Sequence, residues 1–159
     1  MKDRKPRICF IIYTYNRADK VPVAIESVLR QTYRDFELVL INNGSTDHTK
    51  DILNSYQGHE KVRIIHLEKN IGSIAGLNYA FDQINGEWFG SIGDDDSLMN
   101  NAFEEAMKVV DEMDSTIDAI TANAISTATG QFAGIGLSKN QYLPIETIVK
   151  QTTGDFFGL

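Results

Sequence analysis

The sequence predicts an α/β fold with a mostly parallel sheet that is covered by helices on both faces. Short apolar runs rich in β-branched residues alternate strictly with longer segments whose apolar residues recur every three or four positions. The apolar runs are continuous, which is typical of strands buried on both sides. Because parallel strands need crossover connections, this alternation indicates a parallel sheet.

The first predicted strand and helix lie within residues 8–31. Residues 8–14 are a continuous apolar run with β-branched and aromatic side chains, too short for a helix. Over residues 19–31, apolar residues recur at helical spacing, and Pro22 falls in the first turn, where proline is tolerated. These apolar residues are Val21, Ile25, Val28 and Leu29.

The second strand is predicted over residues 36–41 and ends in a polar turn at 42–45. Asparagine followed by glycine is a strong turn signal. Side-chain oxygens at 45–47 are suited to cap the helix that follows. The apolar residues of this helix are Ile52, Leu53 and Tyr56.

The third strand is predicted over residues 62–67, and the next helix starts at about Ser73. Apolar residues in this helix step by three, four and three positions, which predicts an inward face. They are Ile74, Leu77, Phe81 and Ile84. Gly86 stands where a C-terminal cap is expected.

The fourth strand is predicted over residues 87–92, and three aspartates follow it at 94–96. A helix over about 100–113 comes next, and its inward residues are predicted to be Phe103, Ala106, Val110 and Met113. Beyond it, the predicted elements are a strand over 117–122 and a short helix over 144–151.

Composition predicts a single domain over residues 1–159, since 42% of the residues are hydrophobic. The longest strongly apolar run, 8–12, is far shorter than the roughly 20 residues that span a bilayer. We therefore expect a cytoplasmic protein without a transmembrane segment, and leave open a peripheral position at the membrane for a full-length protein. A net charge of −7 gives no support for nucleic-acid binding.

Four polar loops follow the predicted strands and are expected to share one rim, because ligands of parallel sheets bind beyond the carboxyl ends of the strands. The loops are 13–16, 42–45, 69–72 and 93–96. Three consecutive carboxylates, Asp94, Asp95 and Asp96, repel one another unless a cation compensates. Mg²⁺ or Mn²⁺, held by one or two carboxylates with substrate phosphates, fits such a cluster. The alternative is a turn followed by an acidic first helical turn.

The other rim residues have both binding and structural interpretations. Tyr13 and Tyr15 point to opposite faces of a strand, so one can stack on a base while the other joins the core. Asn42 and Asn43 offer a donor and an acceptor, as an imide edge such as uracil requires, or else form an ordinary turn. Gly72 either leads helix N–H groups to a phosphate or marks the helix boundary.

Several other functional classes lose their main sequence support. There is no dinucleotide-binding glycine motif after the first strand, no phosphate-binding loop with Gly-Lys-Ser/Thr, and no Gly-x-Ser-x-Gly nucleophile elbow. The three histidines, His48, His59 and His66, lack metal-ligand spacing. A metal-assisted site for a nucleoside diphosphate remains.

Three stretches of the chain carry a resemblance to a known family. They are residues 11–17 with 27–33, residues 36–47, and residues 70–72 with 77–78 and 93–96. In this order and spacing, across about residues 8–101, the chain resembles the inverting GT-A glycosyltransferases of family 2. The resemblance implies a Rossmann-like nucleotide-diphospho-sugar transferase fold and a donor of UDP or dTDP type.

The resemblance also implies a set of site residues. Those implied to bind the nucleotide-sugar are Tyr13, Thr14, Tyr15, Asn42, Asn43, Asn70, Gly72, Asn78 and Asp94. Within this set, Tyr13, Tyr15 and Asn43 correspond to base contacts and Asp94 to the ribose contact. Asp95 corresponds to the ligand of a Mn or Mg cation, with Asp96 as a substitute ligand.

The chain departs from the family pattern at three places. Asn42 and Asn43 stand where aspartates are usual, which leaves the identity of the nucleotide open. Gly93 takes the place of the motif's first aspartate, which leaves the ligand assignment open. Leu77 stands where many members carry a basic residue thought to help the phosphates.

The resemblance implies an activity for the full-length protein. That activity is metal-assisted, inverting transfer of a sugar to a glycan, lipid or other hydroxyl acceptor, as in polysaccharide biosynthesis. Relatives use an aspartate as general base, and we expect this residue beyond Leu159, so that the chain is a truncated donor-binding part and inactive alone. The alternative is a non-catalytic nucleotide-sugar binding or interaction domain.

Overall fold

A computed structural model describes residues 5–112, 124–125 and 132–133 of the chain. The chain forms two compact units, Met1–Glu112 and Met113–Leu159. None of the helices within the described residues is long and apolar enough to cross a membrane.

The first unit alternates strictly between strand and helix over its described residues. Its strands are β1 (Ile8–Thr14), β2 (Phe36–Asn42), β3 (Val62–His66) and β4 (Trp88–Ile92). Its helices are α1 (Val21–Leu29), α2 (Thr49–Asn54), α3 (Ser73–Asp82) and α4 (Ala102–Glu112). These are the elements predicted between residues 8 and 113, with ends that differ by about one or two residues.

The described residues of the second unit form two short strands, β5 (Ala124–Ile125) and β6 (Phe132–Ala133), which pair antiparallel. The strand predicted over 117–122 and the helix predicted over 144–151 lie outside the described residues. The single domain over residues 1–159 stays a prediction.

The four strands of the first unit form one sheet in the order β3-β2-β1-β4, and every pair is parallel. Thr14 of β1 is level with Asn42 of β2, and Asn42 is level with His66 of β3. The carboxyl ends of these strands therefore meet at one edge. The predicted parallel sheet is confirmed, and the loops at this edge are called the rim below.

The sheet is covered on both faces, as predicted. On one face, Phe10, Leu38 and Leu40 pack with the buried residues of α1, with Leu53 of α2 and with Phe103 of α4. The residues that α1 contributes are Val21, Ala24, Ile25 and Val28. On the other face, a smaller cluster contains Cys9, Ile11, Val39, Ile41 and Ala80 of α3. Because consecutive strand residues point to opposite faces, each continuous apolar run supplies both clusters.

Helix α3 buries a different face from the one predicted. Ile74 is 79% exposed and Phe81 also lies at the surface, whereas Gly76 and Ala80 are buried. A Cβ on Gly76 would overlap the ring and the hydroxyl of Tyr13. The helix therefore approaches the sheet through its smallest residues, and a prediction that follows large apolar side chains selects the wrong face.

Two smaller predictions are also corrected. Gln83 caps the C-terminus of α3, and Gly86 instead lies in the connection to β4, where a Cβ would crowd Cys9. In α4, Met107 is buried beside Phe103, while Ala106 is only half-buried. The apolar face of α4 is therefore rotated slightly from the predicted one.

Candidate functional site

The acidic loop after β4 is joined to the end of β1. Thr14 is buried, and its Oγ1 donates a hydrogen bond of 2.6 Å to Asp94 Oδ2. The two residues are 80 positions apart in sequence, but β1 and β4 are neighbours in the sheet. Asp94 is consequently a fixed carboxylate, with a side chain only 15% exposed.

The turn after β2 is held by Asn42, which is buried. Its Oδ1 accepts a hydrogen bond from the Ser45 N–H at 2.9 Å, and its Nδ2 lies 3.2 Å from His66 Nδ1. His66 Nε2 lies 2.9 Å from Asn54 Oδ1. The Asn42 amide is therefore engaged within the protein, between its own turn and β3.

Asn43 is also buried, and it braces the loop after β3. Its Nδ2 donates to Asn70 Oδ1 at 2.9 Å, and its Oδ1 accepts from the Ile71 N–H at 3.0 Å. Asn70 Oδ1 also accepts from the Gly72 N–H at 2.8 Å. Pairing of Asn42 or Asn43 with a base requires these hydrogen bonds to be shared or exchanged, and it stays a prediction.

The loops after β2 and β3 also touch through their backbones. Gly44 has a φ of +67°, and a Cβ there would overlap the backbone of Lys69 and Asn70. Glycine is therefore required both by conformation and by space. The Asn43 N–H donates to the Thr14 carbonyl at 2.9 Å, which attaches the same turn to β1.

The two tyrosines of the first strand and loop have different surroundings. Tyr13 packs over Gly76, and its hydroxyl donates to the Gly72 carbonyl at 2.8 Å. Burial raises the pKa of the Tyr13 phenol. Tyr15 is 39% exposed. This division matches the prediction that one ring is structural and the other is available for stacking; contact of either ring with a base stays a prediction.

Asn16 connects the first loop to the second. It is the non-glycine residue with positive φ (54°) among the described residues, a conformation that asparagine tolerates. Its N–H donates to Ser45 Oγ at 3.0 Å, and its Oδ1 accepts from the Thr46 N–H at 2.8 Å. The sequence alone does not reveal this role of Asn16, because no local pattern indicates a partner 29 or 30 residues away.

The carboxylates of Asp95 and Asp96 converge on the space beside Gly93. A Cβ on Gly93 would lie 3.2 Å from Asp95 Oδ1 and 2.8 Å from Asp96 Oδ2. Both aspartates are exposed, and hard divalent cations prefer such oxygen ligands. Among the described residues, no group of three His, Cys, Asp or Glu side chains suits a metal ion, so a cation here needs further oxygens from water or a ligand.

Two cationic side chains reach these aspartates from the loop before α1. Arg17 Nε lies 3.7 Å from Asp94 Oδ1, and Lys20 Nζ lies 3.9 Å from Asp95 Oδ2. Both cations are 44% exposed. The sequence alone does not reveal Lys20 as a site residue, because a charged residue before a helix is usually solvated.

The segment after the aspartates is held by two buried polar residues of the α1 region. Gln31 Nε2 donates to the Met99 carbonyl at 2.7 Å, and its Oε1 accepts from the Phe103 N–H at 2.9 Å. Ser27 Oγ accepts from the Leu98 N–H at 3.1 Å. Ser27 lies on the buried side of α1 and Gln31 is buried just beyond its C-terminus, and buried polar residues of this kind signal a hydrogen-bonding role.

The structure thus brings together most of the predicted site residues. Thr14 is hydrogen-bonded to Asp94, and Asn43 is hydrogen-bonded to Asn70. The Asn43 N–H also bonds to the Thr14 carbonyl, which joins the two pairs. Asn78 stands apart, because it is exposed on α3 and its side chain makes no hydrogen bond with a described residue. Its predicted contact with a nucleotide-sugar stays a prediction.

Comparison with known proteins gives one family. A family model described as Glycosyl transferase family 2 matches residues 9–157. The PGL/p-HBAD biosynthesis glycosyltransferase of Mycobacterium bovis is 42% identical over 94 residues, which are 58% of this chain and 37% of that protein.

Solved structures with the same fold agree with this match. Residues 1–349 of TarS from S. aureus, in complex with UDP, superpose with a TM-score of 0.63 at 27% identity, over 67% of this chain and 32% of that one. The mannosyltransferase PcManGT from Pyrobaculum calidifontis, in complex with GDP-Man and Mn²⁺, shares the fold with a TM-score of 0.63 at 22% identity, over 72% of this chain and 34% of that one. The chain spans about a third of the length of these proteins.

Proposed function

This chain belongs to glycosyl transferase family 2, and on that premise we propose that it binds a nucleoside-diphosphate sugar as the donor in a glycosyl transfer. The acceptor that we propose is a hydroxyl group of a glycan, a lipid or another compound. The TarS complex with UDP supports a uridine donor, and a dTDP donor presents the same imide edge.

The observation that carries this proposal is the arrangement of the three aspartates after β4. Asp94 is fixed by Thr14, whereas Asp95 and Asp96 turn their carboxylates toward the space beside Gly93. One fixed carboxylate beside two exposed ones suits a ligand with neutral hydroxyls next to an anionic group that a divalent cation joins to the exposed carboxylates. We assign the ribose hydroxyls to Asp94, and a Mn or Mg cation to Asp95 with Asp96.

The rest of the rim is proposed to hold the nucleoside. Tyr15 offers an exposed ring on which a base can stack. Asn43 and Asn70 border the same edge and hold the loop after β3 in place, so that the base meets a preformed surface. Preformed polar groups lower the ordering cost of binding.

The reaction that we propose is an inverting displacement. A general base removes the proton of the acceptor hydroxyl, the oxygen attacks the anomeric carbon, and the bond from that carbon to the diphosphate breaks. A divalent cation at Asp95 would neutralise the charge that develops on the leaving diphosphate. The described residues serve the donor side of this reaction by orienting the nucleoside and holding the diphosphate end.

Calorimetry with UDP in the presence of Mn²⁺ tests the assignment of Asp95. The variant Asp95→Asn keeps the size of the side chain and removes its charge, so we expect UDP affinity to fall by about tenfold or more, as for the loss of a charged ligand contact. Asp82→Asn is the matched control, because Asp82 is exposed at the end of α3, on the opposite edge of the sheet from the rim.

Two results would count against the proposal. If the wild-type chain binds no UDP or dTDP with Mn²⁺, the proposed donor class is wrong. If UDP binds equally well with and without Mn²⁺ and Asp95→Asn has no effect, the cation does not lie at Asp95.

A further inference from the structure

We propose that Lys20 binds the diphosphate of the donor, and that in the free protein its ammonium instead offsets the charge of Asp95. This inference rests on the proposed function. It assigns to the start of α1 the positive charge that a diphosphate site requires in addition to a metal ion.

The position of Lys20 is well defined although its side chain is exposed. Lys20 precedes α1 directly, and its N–H donates to the Arg17 carbonyl at 3.0 Å. The helix behind it is anchored by fully buried side chains, among them Val21, Ile25 and Val28. The backbone of Lys20 is thus fixed at the rim, and the mobility lies in its four-carbon stem.

The contact with Asp95 is too weak to be the structural reason for Lys20. The two charges are 3.9 Å apart, beyond hydrogen-bond distance, and the side chains are 44% and 48% exposed. Solvated pairs of this kind contribute little to folding. Arg17 differs, because its partner Asp94 is only 15% exposed and is also bonded to Thr14.

The charges of the bound cation and diphosphate determine which group the Lys20 ammonium contacts. A divalent cation at Asp95 would place like charges close together, so Lys20 opposes the binding of the cation alone. A diphosphate on that cation carries excess negative charge, and Lys20 is within reach to receive it. No residue of α3 supplies a positive charge at this end of the site, since Ser73–Asp82 contains neither Lys nor Arg.

Substitution of Lys20 should therefore have opposite effects on the affinity for Mn²⁺ alone and on the affinity for UDP with Mn²⁺. In Lys20→Met, we expect Mn²⁺ alone to bind roughly threefold more tightly, because a like charge about 4 Å away is removed. In the same variant, we expect UDP with Mn²⁺ to bind roughly fivefold to tenfold more weakly, because a charged contact to phosphate is lost. Both affinities are measured by calorimetry.

Two further variants of the 159-residue chain complete the experiment. Lys20→Arg keeps the charge and should stay within about twofold of wild type for both ligands. Lys108→Met is the matched control, since Lys108 is also a half-exposed lysine paired with carboxylates, those of Glu104 and Glu105 on α4. It should change neither affinity.

The outcomes separate this inference from the proposed function. If wild type binds UDP with Mn²⁺ but Lys20→Met changes neither affinity, or weakens both, then Lys20 is a solvated charge or a support for Asp95, and the inference is wrong while the function stands. If the wild-type chain binds neither Mn²⁺ nor UDP with Mn²⁺, the proposed function is wrong and so is the inference that rests on it.

Discussion

At the scale of single residues, His66 is the group whose protonation the structure constrains most clearly. The Asn42 Oδ1 accepts from Ser45, so its Nδ2 must face His66 Nδ1, which then acts as an acceptor. The proton of the neutral ring lies on Nε2 and is donated to Asn54 Oδ1. With a second proton on Nδ1, the His66 Nδ1–H and the Asn42 Nδ2–H would face each other, and neither could accept a hydrogen bond. Burial lowers the pKa of His66, and the charge of Lys50 lowers it further.

This arrangement predicts a loss of stability on mild acidification. Because the pKa is lowered in the folded state, the unfolded chain binds the proton first, and the free energy of unfolding falls as the pH drops below about 6.5. Urea unfolding at pH 7.5 and pH 5.5 measures the effect, and His66→Gln should show a smaller loss than wild type. His48→Gln, which changes a highly exposed histidine, is the control and should lose as much as wild type. An equal loss in wild type and His66→Gln would contradict the prediction.

The sequence predicts well which residues lie at the rim. It predicts their hydrogen-bond partners poorly. Thr14 and Asp94 were both predicted, yet their hydrogen bond follows only from the pairing of β1 with β4. Asn43 was predicted either to pair with a base or to form an ordinary turn, and its hydrogen bond to Asn70, 27 positions away, was not predicted. Local patterns predict residue classes, whereas the partners of a buried amide depend on how distant loops meet.

At the scale of elements, the buried residue Gln31, just beyond the C-terminus of α1, supports the segment that follows the acidic loop. The Phe103 N–H belongs to the first turn of α4, where N–H groups have no partner within the helix. Gln31 accepts this hydrogen bond and, through its Nε2, holds the Met99 carbonyl. A side chain that follows one helix therefore caps another and fixes the loop between β4 and α4.

Loss of this cap should be costly. In Gln31→Leu, the Met99 carbonyl and the Phe103 N–H lose their side-chain partner in a largely buried setting, so we expect a loss of about 2–4 kcal/mol in the free energy of unfolding. Urea unfolding provides the measurement. Gln57→Leu, at an exposed position after α2, is expected to change stability by less than about 0.5 kcal/mol. A change that small for Gln31→Leu would show that the loop is held by other contacts.

The elements also show where periodicity succeeds and fails. Strands β1 and β2 were predicted closely because their apolar runs are continuous and end in polar turns. The buried face of α3 was predicted wrongly because Gly76 and Ala80 make the contact, and small residues carry little weight in an apolar pattern. The signal for this face lies partly in Tyr13, whose ring fills the space that Gly76 leaves.

At the scale of the whole molecule, the net charge of −7 opposes the approach of an anionic donor. In the proposed site, this repulsion is offset by local positive charge from a divalent cation and from Arg17 and Lys20 at the rim. Because the surface as a whole repels an anion, the affinity for the donor should depend strongly on the divalent cation.

Thermal unfolding tests this dependence for the whole chain. With Mn²⁺ present and UDP at a hundredfold excess over its Kd, we expect a stabilisation of about 2.7 kcal/mol, or roughly 5 to 10 °C in Tm. EDTA should remove most of this shift. ADP is the control, because it carries the same diphosphate on a base without the imide edge. Equal shifts for UDP with and without EDTA would contradict the role of the cation.

Gly44 has a consequence for how this protein can change over evolutionary time. Its backbone lies directly against that of Lys69 and Asn70, so any side chain at this position forces two loops apart at once. The floor of the proposed nucleoside site, where the loops after β2 and β3 pack together, is thereby closed to gradual variation. Tyr15 is exposed above this floor, and its side chain can be exchanged without disturbing the packing. We expect inherited diversity in donor choice to accumulate at Tyr15, while the floor beneath it stays unchanged.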